Sequence, residues 1–200
     1  MLTDYDLYLW GEGTYLRAWE KVGAHPMVVD GKEGTYFAVW APNAEYVSVV
    51  GDFNDWDPDS TPLSLLGISG VWARFIPGVR QGALYKYFIR SRFGFRVLKS
   101  DPFAFHFELR PSTASIVWDL KGYQWNDQEW MAMRQTKNNY QSPLLIYEVH
   151  LGSWRRVAEE GNRWLTYREM AHLLAEYAKD MGFTHVEFLP LSEHPFDGSW

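Results

Sequence analysis

The clearest alternation of apolar and polar positions lies between Leu144 and Trp200. LLIYEVHL (Leu144 to Leu151) and THVEFLPL (Thr184 to Leu191) are β-rich runs, and the segment between them has a helical period. Two strands joined through a helix are expected to lie parallel. The helix carries its own start signal, since Thr166 can cap it while Glu169 reaches back, with Leu165 and Met170 at staple positions. Met170, Leu173, Leu174, Tyr177 and Met181 then recur at three- and four-residue steps to give one apolar face, and Gly182 supplies the stop.

Within the two strands, Glu148 and His150 share one face, as do His185 and Glu187. Tyr147, Val149, Val186 and Phe188 fall on the other, suited to packing under a helix. A parallel sheet with a helix on one face and some polar groups on the other points to the start of a (β/α)8 barrel, whose chemistry sits in the loops after the strands. Here those loops are GSWRR (Gly152 to Arg156) and SEHPFDGSW (Ser192 to Trp200). In the second, His194, Asp197 and Trp200 are the groups placed to touch a polar ligand.

Upstream the pattern is different. TYFAVWA (Thr35 to Ala41), YVSVVG (Tyr46 to Gly51), VWARFI (Val71 to Ile76) and LYKYFIRS (Leu84 to Ser91) are short strands punctuated by turns, with weaker candidates at Phe95 to Leu98 and Ser115 to Trp118. They predict an antiparallel β-sandwich of immunoglobulin type over residues 34–118. Residues 1–33 hold apolar and aromatic positions without a clean period; a helical turn near Leu16 to Val22 is expected to pack on the sandwich. Residues 119–142 read as a polar linker with a helical turn capped by Asn126, and Pro143 opens the barrel segment, 143–200.

Composition narrows the function classes. Lys and Arg number 19 against 25 Asp and Glu, a net charge of -6 that argues against nucleic acid or an anionic membrane as partner. The chain has no cysteine, so disulfides and thiolate metal sites are excluded. The start, MLTDYDLYLW, lacks a basic region followed by a long apolar one, and a cytoplasmic protein is expected. Aromatic residues make up 18%, with 11 Trp, enough to ask whether some stack on sugar rings rather than fill a core.

GDFNDWDP (Gly51 to Pro58) is a turn. It reads either as a structural loop with Trp56 folded onto the sandwich, or as a sugar platform in which Trp56 stacks, Asn54 and Lys86 bond hydroxyls, and Phe95 makes a second wall. Glu148 and Glu187 invite comparison with the carboxylate pair of glycosidases. At about 3.3 Å per residue, however, they lie about 10 Å below the ends of their strands and read better as buried groups paired with His150, His185 or another residue. The histidines show no metal-ligand spacing such as H-E-x-x-H. His194 is placed either to bond a substrate or to fix its own loop. Arg155 and Arg156 read as solvated, and no Gly-rich phosphate loop or nucleophile elbow is present.

YEVHLGSWRR (Tyr147 to Arg156) and THVEFLPLSEHPFDGSW (Thr184 to Trp200) resemble the opening of the barrel of 1,4-alpha-glucan branching enzymes, in the alpha-amylase-like glycoside hydrolase group. FAVWAPNAEYVSVVGDFNDW (Phe37 to Trp56) and LKSDPFAF (Leu98 to Phe105) resemble the glycogen-binding sandwich that precedes it. The resemblance implies cleavage of an α-1,4 link, a covalent glycosyl-enzyme, and transfer to a 6-hydroxyl to form an α-1,6 branch, with no organic cofactor. It implies α-glucan (glycogen, a starch-like polysaccharide or maltooligosaccharide) as partner and a monomer at full length. It also implies that the catalytic carboxyl groups sit on later barrel strands, so that this truncated barrel start holds no catalytic residue. A late Asn of such sandwiches is replaced within PSTAS (Pro111 to Ser115), and the sandwich is expected either to bind glycan or mainly to support the barrel. A non-catalytic glucan-binding module, or the front of a related debranching or trehalose-forming hydrolase, are the alternatives.

Overall fold

The computed structural model describes residues 1–137 and 140–194 and divides them into two compact units. The first is Met1–Tyr123 together with Glu193 and His194; the second is Gln124–Ser192.

The first unit opens with helix α1 (Asp4–Gly11), a stretch in which the sequence shows no period. Its start is a capping box: the Thr3 hydroxyl oxygen accepts from the Asp6 amide, and the Asp6 carboxylate accepts from the Thr3 amide at 2.7 Å. Burial alone would raise the Asp6 pKa, but hydrogen bonds from Lys21 at 2.6 Å, from Thr3 and from Tyr15 outweigh it and hold the carboxyl well below its ordinary range. A 3-10 turn at Ala18–Glu20 follows, within the stretch where a helical turn is expected.

Eight strands then form two sheets: β1 (Gly23–Val29), β2 (Lys32–Trp40), β3 (Ala44–Gly51), β4 (Ser64–Leu65), β5 (Val71–Pro77), β6 (Leu84–Ser91), β7 (Arg96–Lys99) and β8 (Ser115–Ile116). One sheet has the order β1-β2-β5-β4; the other is β3-β6-β7, with β8 also on β6, and every pairing is antiparallel. The sandwich therefore begins at Gly23 rather than near Gly34. His25 and Pro26 break the β pattern of β1, and Pro26 is tolerated because β1 is an edge strand. The signal that identifies this hairpin is Asp30-Gly31, both at positive φ (48° and 74°), as a two-residue turn between strands requires.

Phe37, Val39, Trp72 and Ile76 from one sheet meet Val47, Val49, Tyr85 and Tyr87 from the other in one buried cluster. On the outer face of the first sheet, Leu2, Leu7 and Trp10 pack over Tyr36, Ala38, Val71 and Ala73. Asp101 is buried within the unit. It accepts from Tyr85 Oη at 2.6 Å, Tyr87 Oη at 3.3 Å and the Phe103 amide at 2.8 Å, while its own amide donates to Ser115 Oγ. Burial raises its pKa to about 6, against these hydrogen bonds, which lower it.

The second unit contains α2 (Gln128–Lys137), β9 (Ile146–Val149), α3 (Leu151–Trp154), β10 (Arg156–Val157), β11 (Arg163–Trp164), α4 (Tyr167–Asp180) and β12 (His185–Phe188). Strands β9 and β12 are parallel, with Glu148 opposite Glu187, and α4 connects them. Its cap is the one the sequence predicts: Glu169 accepts from the Thr166 amide at 2.7 Å, and Thr166 Oγ1 accepts from the Glu169 amide. Arg163 bonds Glu169 at 2.9 Å, and this contact, ahead of those with Thr166, lowers the Glu169 pKa to about 2. Val149, Leu151, Met170 and Leu174 are buried together, with Tyr147, Trp154, Leu165 and Val186 partly so. Leu173, Met181 and Phe188 stay exposed, so the apolar face is narrower than its period implies. The loop after β9 is a helical turn and the β10–β11 hairpin, neither of which the sequence signals.

Candidate functional site

The Trp56 loop springs from the end of β3. Gly51 is required there, because a Cβ would collide with the Leu84 carbonyl and the Phe53 ring. Beyond it the chain makes a 3-10 turn at Asp52–Asn54 and passes through Asp55 and Trp56 at positive φ (52° and 58°). Two non-glycine residues in the left-handed region need outside support. Asn54 supplies it: Oδ1 accepts from the Gly51 amide at 2.8 Å, and Nδ2 donates to Val49 O, Ser60 Oγ and Thr61 Oγ1 at 2.8–3.0 Å. Tyr46 Oη donates to Pro58 O at 2.8 Å, and the Trp56 amide donates to Gly51 O. Asn54 is thus the scaffold of the loop and has no amide proton to spare for a hydroxyl. Trp56 remains 39% exposed.

Lys86 is paired across the sheet with Val50, one residue before Gly51, and so flanks the root of this loop. Its ammonium donates to Thr113 Oγ1 at 2.6 Å, and Thr113 is itself held by Ser100 Oγ donating to its carbonyl. Thr113 lies in PSTAS, and it is a polar neighbour that sequence reasoning missed, with only the replaced Asn to signal it. Phe95 is elsewhere. It is 69% exposed in the β6–β7 turn, where its amide donates to Ser91 Oγ. Ser91 is five residues along β6 from Lys86, about 16 Å at strand spacing. The structure therefore groups Trp56, Asn54 and Lys86 and leaves Phe95 at the far end of the strand. Phe88 and Leu98, opposite one another on β6 and β7, are nearer apolar neighbours of Lys86.

His194 is half-buried. Beside it, Glu193 accepts from the Phe107 amide at 2.8 Å and lies 3.1 Å from His106 Nδ1, an anchoring contact the sequence does not announce. Asp197 and Trp200 lie outside the described residues. Glu148 and Glu187 are exposed rather than buried, because among the described residues no element covers their face of the two-stranded sheet. The expected pairing with histidine is also replaced: His150 Nδ1 lies 2.8 Å from Ser153 Oγ, and His185 Nδ1 lies 2.9 Å from Thr184 Oγ1. Arg155 stacks over Trp154 at 4.4 Å and Arg156 over Trp164 at 4.0 Å, so neither is simply solvated. A largely apolar cavity of about 540 Å³ lies by the ends of β9 and β12, with His150, Trp164, Met170 and Leu189 in its wall. Among the described residues no group of three or more His, Asp or Glu could hold a metal ion.

The fold is an antiparallel two-sheet sandwich, and Trp56 and Lys86 flank the root of one of its loops. Residues 21–104 match the family model Carbohydrate-binding module 48 (Isoamylase N-terminal domain). Over its whole length the chain is similar to the N-terminal part of bacterial 1,4-alpha-glucan branching enzymes. It is 55% identical to that of Aquifex aeolicus, covering 100% of this chain and 32% of the relative, and 54% identical to that of Paramagnetospirillum magneticum, covering 100% and 27%. The chain spans 27–32% of the length of the curated relatives it matches. Among solved structures, the maltotriose complex of PulA from Klebsiella pneumoniae shares the fold, with a TM-score of 0.60 at 23% identity, covering 84% of this chain and 20% of that one.

Proposed function

We propose that the chain is the front part of a 1,4-alpha-glucan branching enzyme, which cuts α-1,4 links and transfers the fragment to a 6-hydroxyl by a retaining double displacement. The carrying observation is similarity at about 50% identity across the entire chain to several enzymes of that name. In this reading β9, α4 and β12 are the first unit of a (β/α)8 barrel. The exposed Glu148–Glu187 face is then covered by barrel strands carried in the part of the longer relatives that this chain does not match. The nucleophile and the general acid/base belong to that part, so the contribution of the present residues is to hold glucan: Trp56 offers a ring face to the apolar side of a glucosyl unit, and Lys86 and Thr113 offer hydrogen bonds to its hydroxyls. His194, Asp197 and Trp200 are proposed to contact glucan as well, and Phe95 to touch a more distant stretch of the polymer. The whole enzyme is proposed to act as a monomer in the cytoplasm; no described helix is long and apolar enough to cross a membrane.

Incubating the complete gene product with amylose tests this. New α-1,6 links should appear with little gain in reducing ends, whereas reducing ends without new links would assign a hydrolase. The match to a carbohydrate-binding module favours a second reading, a non-catalytic glucan-binding role, which the absence of both products while the polymer is still bound would support.

A further inference from the structure

A second concavity, of about 440 Å³, lies between the Trp56 loop and the end of β5. Phe53, Ile76 and Val79 give it apolar lining, while Asn54, Ser60, Thr61 and Arg74 bring polar groups. Its hydrogen-bonding character follows from a census. Asn54 has committed its amide protons within the loop. Ser60 donates its hydroxyl proton to Asp57 O at 3.2 Å, and Thr61 donates its proton to Val49 O. Both hydroxyls therefore present lone pairs to a guest. Arg74 is the opposite: its guanidinium carries five N–H groups, of which Nη1 donates to Pro62 O at 2.9 Å, and it enters none of the ion pairs among the described residues.

We propose that this cleft is a second saccharide site, taking a glucosyl unit of a neutral α-glucan. A donor held at Pro62 beside the acceptor hydroxyls of Ser60 and Thr61, over apolar lining, matches a pyranose, whose vicinal hydroxyls donate and accept while its C–H face needs apolar contact. A phosphate monoester matches half of this: it satisfies Arg74 but sets acceptor oxygens against the lone pairs of Ser60 and Thr61. The identity of the sugar rests on the α-glucan reading above; the location is independent of the Trp56 face.

The test is amide mapping by NMR on the isotopically labelled chain, titrated separately with maltotriose and with inorganic phosphate. Maltotriose should move the amides of Ser60, Thr61 and Gly78 saturably, and should still do so in Trp56→Ala. Arg74→Ala should weaken that set about tenfold, as loss of charge-assisted hydrogen bonds does, with amides around Trp56 and Lys86 unaffected. Arg74→Lys, which keeps charge and loses the fork, should also bind more weakly. Still amides in the wild-type protein, loss of the shifts in Trp56→Ala, or equal shifts from phosphate would overturn the proposal. Silence confined to amides around Trp56 and Lys86 would instead count against the outer face alone, and active cleft amides would then uphold the second site.

Discussion

A single carboxamide keeps the Trp56 loop in shape. Asn54→Ala removes the partner of the Gly51 amide and the donor to Val49 O, so we expect destabilisation of about 1–3 kcal/mol by chemical denaturation, together with weaker glucan binding. A full-strength binding isotherm would show that the loop holds without it. Asp101 makes a second prediction at this scale. Its folded pKa of about 6 lies above its ordinary 3.8, so its contribution is fully present below 3.8 and is lost as pH rises through about 6. Asp101→Asn should flatten the pH dependence of sandwich stability in that window; an unchanged slope would exclude Asp101 as its source. The sequence singled out Trp56 and Lys86 as candidates, since an aromatic in a Gly/Asn/Asp turn and a lone Lys in a strand both stand out. It could not show that Asn54 is committed inward, nor that Phe95 sits a strand's length away, because both depend on where the backbone goes.

At the scale of elements, legibility followed the strength of local chemistry. Helix α4 was readable because cap, period and stop agree. Thr166→Ala should cost about 1 kcal/mol and speed exchange of the Glu169 amide; unaltered protection would mean that the Arg163–Glu169 contact holds the helix start by itself. Strands β2, β3, β5 and β6 were readable from β-branched and aromatic alternation. Strand β1 was obscured by His25 and Pro26, and α1 by aromatics on both of its sides: Trp10 packs on the sheet, whereas Tyr5 and Tyr8 are exposed. The burial expected for Glu148 and Glu187 failed for a different reason. It needs neighbours that the described residues do not contain, so face assignment was correct while burial was not.

Across the whole molecule the two units differ in how well they close on themselves. The first buries two sheets against each other; the second has a two-stranded parallel sheet and a core of four buried side chains, with Ile146, Phe188, Leu189 and Leu191 exposed. Amides of β9 and β12 should therefore exchange with solvent well before those of β2 and β6, and equal protection would contradict the view that this sheet needs further strands. In the proposed reading these residues bind glucan and bond-making falls to residues elsewhere. This reading is tested most directly by following the anomeric proton signals of maltoheptaose by NMR while the 200-residue chain is added. Broadened or shifted sugar signals, with the ratio of α-1,4 to α-1,6 signals constant over hours, are the predicted result; growth of an α-1,6 signal, or sugar signals that never respond, would contradict it.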